Sequence, residues 1–109
     1  MVQEDRVDPC VELDLNSSAF QKIWSALPVL EQRRALATFE KIVQLSWDQL
    51  YRDKGLRWEK IRSVPPPPGV DALYSFRVSK SIRAVGFRDG TFLRVLLVDP
   101  DHDRAYGKK

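Results

Sequence analysis

The 109-residue chain is 43% apolar and 30% charged, with a formal net charge of +3. That length suits one domain spanning 1–109, and the composition excludes both an intrinsically disordered chain and a membrane-spanning one, since no window approaches roughly 18 consecutive apolar residues. The charge is uneven: residues 1–15 hold one base and five acids, whereas residues 52–94 hold ten bases and four acids, so the second segment points to a polyanion, nucleic acid ahead of membrane, with a merely solvated basic surface as the equal alternative.

Residues 1–9 read as an acidic arm without the basic start and apolar stretch of a signal peptide, so a cytoplasmic protein is expected. From Cys10 to Leu15, Val11, Leu13 and Leu15 alternate with acids, the period-2 pattern of a half-buried first strand. Cys10 is the only cysteine, which excludes an internal disulfide and a cysteine-based zinc site; its expected role is a small apolar filler beside that strand. Asn16, Ser17 and Ser18 offer N-capping groups to a first helix that carries Phe20, Ile23, Trp24 and Leu27 at helical spacing and stops at Pro28. A longer helix is predicted from about Leu30 to Tyr51, with Leu36, Phe39, Val43, Trp47 and Leu50 as its core-facing stripe. Gly55 terminates it, 56–62 is a basic connector, and 63–70, containing Pro65 to Pro68, is a stiff polyproline-like loop.

Leu73–Ser79, Ile82–Arg88 and Thr91–Asp99 are rich in β-branched and aromatic residues and predict three antiparallel strands. Asp89-Gly90 is a two-residue hairpin signal that pairs Arg88 with Thr91, Phe87 with Phe92, Val85 with Arg94 and Arg83 with Leu96. A three-residue loop at Ser79-Lys80-Ser81 sets Val78 opposite Ile82 and Arg77 opposite Arg83. Strict alternation then gives one apolar face of Tyr74, Phe76, Val78, Ile82, Ala84, Leu93, Val95 and Leu97, to be covered by the helices. The other face carries Ser75, Arg77, Arg83, Val85, Phe87, Phe92, Arg94 and Leu96.

Arginines opposite each other repel by a few tenths to about 1 kcal/mol, a cost that a bound phosphodiester offsets because guanidinium groups match phosphate oxygens bidentately. Val85, Phe87 and Phe92 between them suit stacking against bases or ribose. Against this stand arginines that are simply solvated or paired with acids such as Glu59, and apolar neighbours packed under the chain's own tail. His102, the only histidine, follows the last strand with Tyr106 close behind, and a histidine beside a phosphate-binding face is the usual acid/base group of metal-free RNA cleavage; a surface or capping histidine is the plain alternative. Asp99, Asp101 and Asp103 alternate like the start of a calcium loop, but Arg104 stands where glycine is required and no acid follows at the twelfth place. No metal site is expected.

The order strand, helix, longer helix and three-stranded meander, with the stretches Leu73-Tyr74-Ser75-Phe76-Arg77-Val78, Ile82-Arg83-Ala84-Val85 and Val98-Asp99-Pro100-Asp101-His102-Asp103-Arg104-Ala105-Tyr106, resembles the RelE/ParE toxin superfamily over about residues 10–107. The resemblance implies an α+β fold of order β-α-α-β-β-β, an antiparallel twisted sheet with two helices packed on one face. It implies a type II toxin acting as a ribosome-dependent, metal-independent mRNA endonuclease, silenced by a cognate antitoxin protein, with no small-molecule cofactor and no membrane partner. By motif position Arg77 and Arg83 hold phosphates, His102 is the general acid or base, and Tyr106 stacks or orients the 2′-hydroxyl. Lys60 and Arg94 are flanking phosphate contacts, and Lys80 and Phe87 complete the expected RNA-binding set. The tetraproline and the acidic arm lie outside the common pattern. Two other readings stay open: a non-cleaving module of this fold, either a degenerate toxin or a ParE-like gyrase inhibitor, and a structural homodimer through Phe87, Phe92 and Leu96.

Overall fold

The structure, a computed structural model, describes residues 8–99. The first strand, β1 (Glu12–Asp14), is followed by α1 (Ser18–Ala26), α2 (Val29–Ile42) and α3 (Trp47–Arg52). A short strand β2 (Glu59–Ile61) then precedes β3 (Leu73–Arg77), β4 (Arg83–Asp89) and β5 (Phe92–Asp99). The class is α+β, with five strands in the order β1-β5-β4-β3-β2. Two expectations need correcting. The sheet is mixed, because β1 runs parallel to β5 while the other pairs are antiparallel. The basic connector also contributes an edge strand, β2, which pairs with β3 from Glu59 opposite Ser75 to Ile61 opposite Leu73.

Local chemistry sets the helix ends. The Ser17 hydroxyl accepts from the Phe20 amide at 3.3 Å and donates to the Leu96 carbonyl at 2.8 Å, so one side chain caps α1 and fastens it to β5. The expected long helix is two helices. α2 ends at Ile42, and Ser46 starts α3 with a capping box: its hydroxyl accepts from the Gln49 amide and the Gln49 side chain accepts from the Ser46 amide. The break has a use, since the Leu45 carbonyl in the gap accepts from the Val11 amide at 2.8 Å and anchors the approach to β1. Cys10 sits at this junction, bridged to Ser46 and exposed, and is not the buried filler expected of it.

The break also redirects the apolar stripe. Ala35, Phe39 and Ile42 of α2 and Trp47 and Leu50 of α3 enter the core, while Leu36 and Val43, expected there, are 46% and 40% exposed. The buried cluster gathers these residues with Val11, Phe20, Leu27, Phe76, Val78, Ile82, Ala84, Leu93, Val95 and Val98. An aromatic group borders it: Trp58 stacks on Tyr74 at 4.7 Å and meets Trp47 edge-on at 5.6 Å. The Trp47 indole N–H donates to the Thr91 carbonyl at 3.0 Å, which ties α3 to the β4–β5 turn.

The predicted β3–β4 register holds, with Arg77 opposite Arg83. The β4–β5 register does not. Gly90 takes φ +65° and the turn residues are Gly90-Thr91, so Asp89 meets Phe92 and Phe87 meets Arg94. A further shift between Val85 and Gly86 then sets Val85 opposite Leu97 and Arg83 opposite Asp99. Past that irregularity the alternation inverts, so Val98, fully buried, takes the core position expected of Leu97.

Candidate functional site

The sheet face away from the core carries the polar residues of interest. Strand alternation brings Glu59, Ser75, Val85 and Leu97 into one row, and Arg77, Arg83 and Asp99 into the next. Arg83 and Ser75 are the two buried polar or charged residues among those described, at 7% and 2% exposure. A guanidinium at this depth requires fixed acceptors. One terminal nitrogen of Arg83 donates to the Ser75 hydroxyl at 2.9 Å and to the Arg57 carbonyl at 2.8 Å. Arg57 is the one described non-glycine residue at positive φ, +52°, a conformation costing on the order of 1 kcal/mol. The segment between α3 and β2 accepts that strain where its carbonyl meets Arg83.

Arg77 lies beside Arg83 but differs in kind. It is exposed, and its side chain has no hydrogen bond or ion pair among the described residues. With Lys80, also exposed, it lines a cleft of about 440 Å³ whose other walls include Thr38, Lys41, Leu56 and Ser79. Lys41 is partly neutralised there by Asp53 at 2.9 Å, a contact that chiefly accounts for the lowered pKa of that carboxyl. Two sequence-predicted cations thus share one cleft, and Arg83 stands next to it in the sheet.

The remaining candidates lie apart. Arg94 is opposite Phe87, four residues along β4 from Arg83, roughly 13 Å at the usual strand rise. Its guanidinium is held by Asp14 on β1 and by Asp89 at 2.8 Å, and it covers the Phe92 ring at 4.9 Å. Those carboxylates raise its pKa, Asp89 foremost. Arg94 therefore clamps β1 to the β4–β5 hairpin and is not an open phosphate contact. Lys60 is exposed on β2 opposite Tyr74, so alternation sets Glu59 and not Lys60 in the row of Ser75. Phe87 is half-buried and lines a separate cleft of about 470 Å³ with Tyr51, Trp58, Tyr74 and Arg88. His102 and Tyr106 lie outside the described residues. No group of three His, Cys, Asp or Glu side chains among the described residues could hold a metal ion, and no described helix is long and apolar enough to cross a membrane.

Sequence reasoning missed Ser75 as the support of Arg83 and Asp14 and Asp89 as the partners of Arg94. Asp89 could have been read from its place across a tight turn from Arg94; the Arg57 carbonyl had no sequence signal. Asp14 is held below its ordinary value of 3.8, first by the Asn16 backbone amide and then by Arg94. A carboxyl with a depressed folded-state pKa gives stability that is complete above the unfolded value and fades as pH falls through the folded one. Asp14→Asn is thus expected to flatten the loss of stability below about pH 4, read from urea midpoints across an acid series. An unchanged acid limb would show that the clamp contributes nothing to folding.

Comparison with known proteins returns no match among family models, curated proteins or solved structures.

Proposed function

We propose that the chain is a RelE-like toxin, a metal-independent mRNA endonuclease that holds the RNA backbone on the Arg77–Arg83 side of its sheet. The observation that carries this reading is the pairing of one fixed and one open arginine at adjacent positions: Arg83 buried and hydrogen-bonded to Ser75 and the Arg57 carbonyl, Arg77 exposed beside it and facing a cleft shared with Lys80. A guanidinium whose position is settled before the ligand arrives stabilises charge that builds on a phosphate without reorganising. In the chemistry the resemblance implies, the ribose 2′-oxygen attacks the adjoining 3′-phosphorus, the bond to the 5′-oxygen breaks, and a cyclic phosphate and a 5′-hydroxyl are left. His102 is assigned the proton transfers and Tyr106 the stacking or 2′-hydroxyl contact. Asp99 closes β5 opposite Arg83, and two residues separate it from His102 along the chain. The partners proposed are mRNA on the ribosome and an antitoxin protein that covers the basic face.

One observation favours the non-cleaving alternative, an RNA-, ribosome- or gyrase-binding module: acids neutralise Arg94, and Asp99 stands opposite Arg83. Inducible expression with mapping of mRNA ends separates the two. Growth arrest with new 5′ ends in translated messages, relieved by Arg77→Ala and by His102→Ala, is the expected outcome. Because Arg77 is exposed and unpaired among the described residues, its loss is expected to change stability by less than about 0.5 kcal/mol while cutting cleavage roughly 10- to 100-fold. Arrest with intact messages and blocked replication would replace this reading with gyrase inhibition, and normal growth would remove both.

A further inference from the structure

α2 carries two apolar stripes, and the core uses one. Ala35, Phe39 and Ile42 are buried, whereas Val29, Leu36 and the C-cap residue Val43 are 65%, 46% and 40% exposed. These three are spaced seven residues apart, so they run nearly in line along a flank turned away from the core. Arg33 and Glu40 lie on the same line, each four residues after an apolar member. Both are exposed, and neither side chain has an ion-pair or hydrogen-bond partner among the described residues, although their neighbours do: Arg34 pairs with Glu31 and Lys41 with Asp53.

The order along the stripe is apolar, basic, apolar, acidic, apolar, and it is complementary to itself when reversed. We propose that this face of α2 is a homodimer surface that takes α2 of a second copy antiparallel to it, across a two-fold axis beside Leu36 and Ala37. In that arrangement Arg33 of each copy is level with Glu40 of the other, which forms two equivalent ion pairs. Leu36 of each copy is level with Ala37 of the other, both close to the axis, and Val29 and Leu30, the latter 56% exposed, reach the partner's Val43. A parallel arrangement would instead set Arg33 beside Arg33 and Glu40 beside Glu40. The isologous contact that closed two-fold dimers require is thus written into one helix. The contact is about 21 Å long at the helical rise. An area set by one short helix pair falls below that of a standard stable interface, so the dimer is concentration-dependent.

Sedimentation of the purified chain over a concentration series tests the idea. The expected result is a monomer–dimer equilibrium that Leu36→Glu weakens by at least about tenfold. Arg33→Glu and Glu40→Arg should each be monomeric alone, associate when mixed, and dimerise again when combined in one chain. All these positions are exposed, and circular dichroism of each variant checks that it is folded. A Leu36→Cys, Cys10→Ser variant should form a disulfide-linked dimer under mild oxidation. A wild type that stays monomeric at every concentration overturns the proposal, as does a dimer indifferent to Leu36→Glu and to both charge reversals.

Discussion

Gly86→Ala is expected to destabilise the fold by about 3 kcal/mol or more, lowering the thermal midpoint by roughly 12–24 °C. A Cβ built at this position falls 2.4 Å from the Arg94 carbonyl oxygen and 3.2 Å from the Arg94 carbonyl carbon and the Val95 Cα, all backbone atoms of the neighbouring strand. Main chain held in a ladder cannot rotate aside as a lysine tip can, so β4 and β5 must part where their register shifts between Val85 and Gly86. The same change at Gly55, where the nearest contact is an Asp53 carboxylate oxygen at 3.2 Å and the next the Lys41 ammonium, should cost far less and serves as the control. Calorimetric midpoints for the two variants decide the matter, and equal effects would show that the close approach at Gly86 is not what sets the sheet.

Substitution of Arg83 should damage stability and activity together, unlike that of Arg77. Arg83→Ala leaves the Ser75 hydroxyl and the Arg57 carbonyl without the donor they now share, a cost of about 1–3 kcal/mol for buried polar groups. Under the proposed function it also removes a fixed positive charge from the phosphate, worth on the order of 10²–10³ in rate. Arg83→Lys keeps the charge, but its ammonium stops one bond short of the terminal nitrogen that serves both acceptors and offers a phosphate no bidentate face, so it should recover part of the stability and little of the cleavage. Denaturation midpoints and single-turnover cleavage on the same variants separate the two effects. Full cleavage by a destabilised Arg83→Ala protein would place the chemistry elsewhere.

How far the sequence reached depends on the range of the signal. Ser17, Pro28 and the short Ser79-Lys80-Ser81 loop act within a few residues, and they placed α1, its end and the Arg77–Arg83 register. The split of the long helix was also local, because Ser46 and Gln49 stand at capping-box spacing, but continuous apolar periodicity concealed it. The β4–β5 slip was harder. Gly86 within a strand is a bulge signal, yet nothing local tells that the shift exchanges Leu97 for Val98 and brings Asp99 opposite Arg83. Cross-chain partners escaped altogether. Asp14 reaches Arg94 over a separation of 80 residues, and no pattern near either one announces it.

That parallel pairing of β1 with β5 has a kinetic side. Glu12 has no ladder partner until Phe92 has left the ribosome, and the carbonyl that receives the Ser17 hydroxyl belongs to Leu96. The helices made first therefore wait, with their apolar faces uncovered, for the strand made later, and the high contact order of this closure makes folding a late and concerted event. A ribosome carrying a chain that ends before β5 thus holds a sheet limited to β2, β3 and β4, and Arg83 gains Asp99 opposite it only once β5 docks.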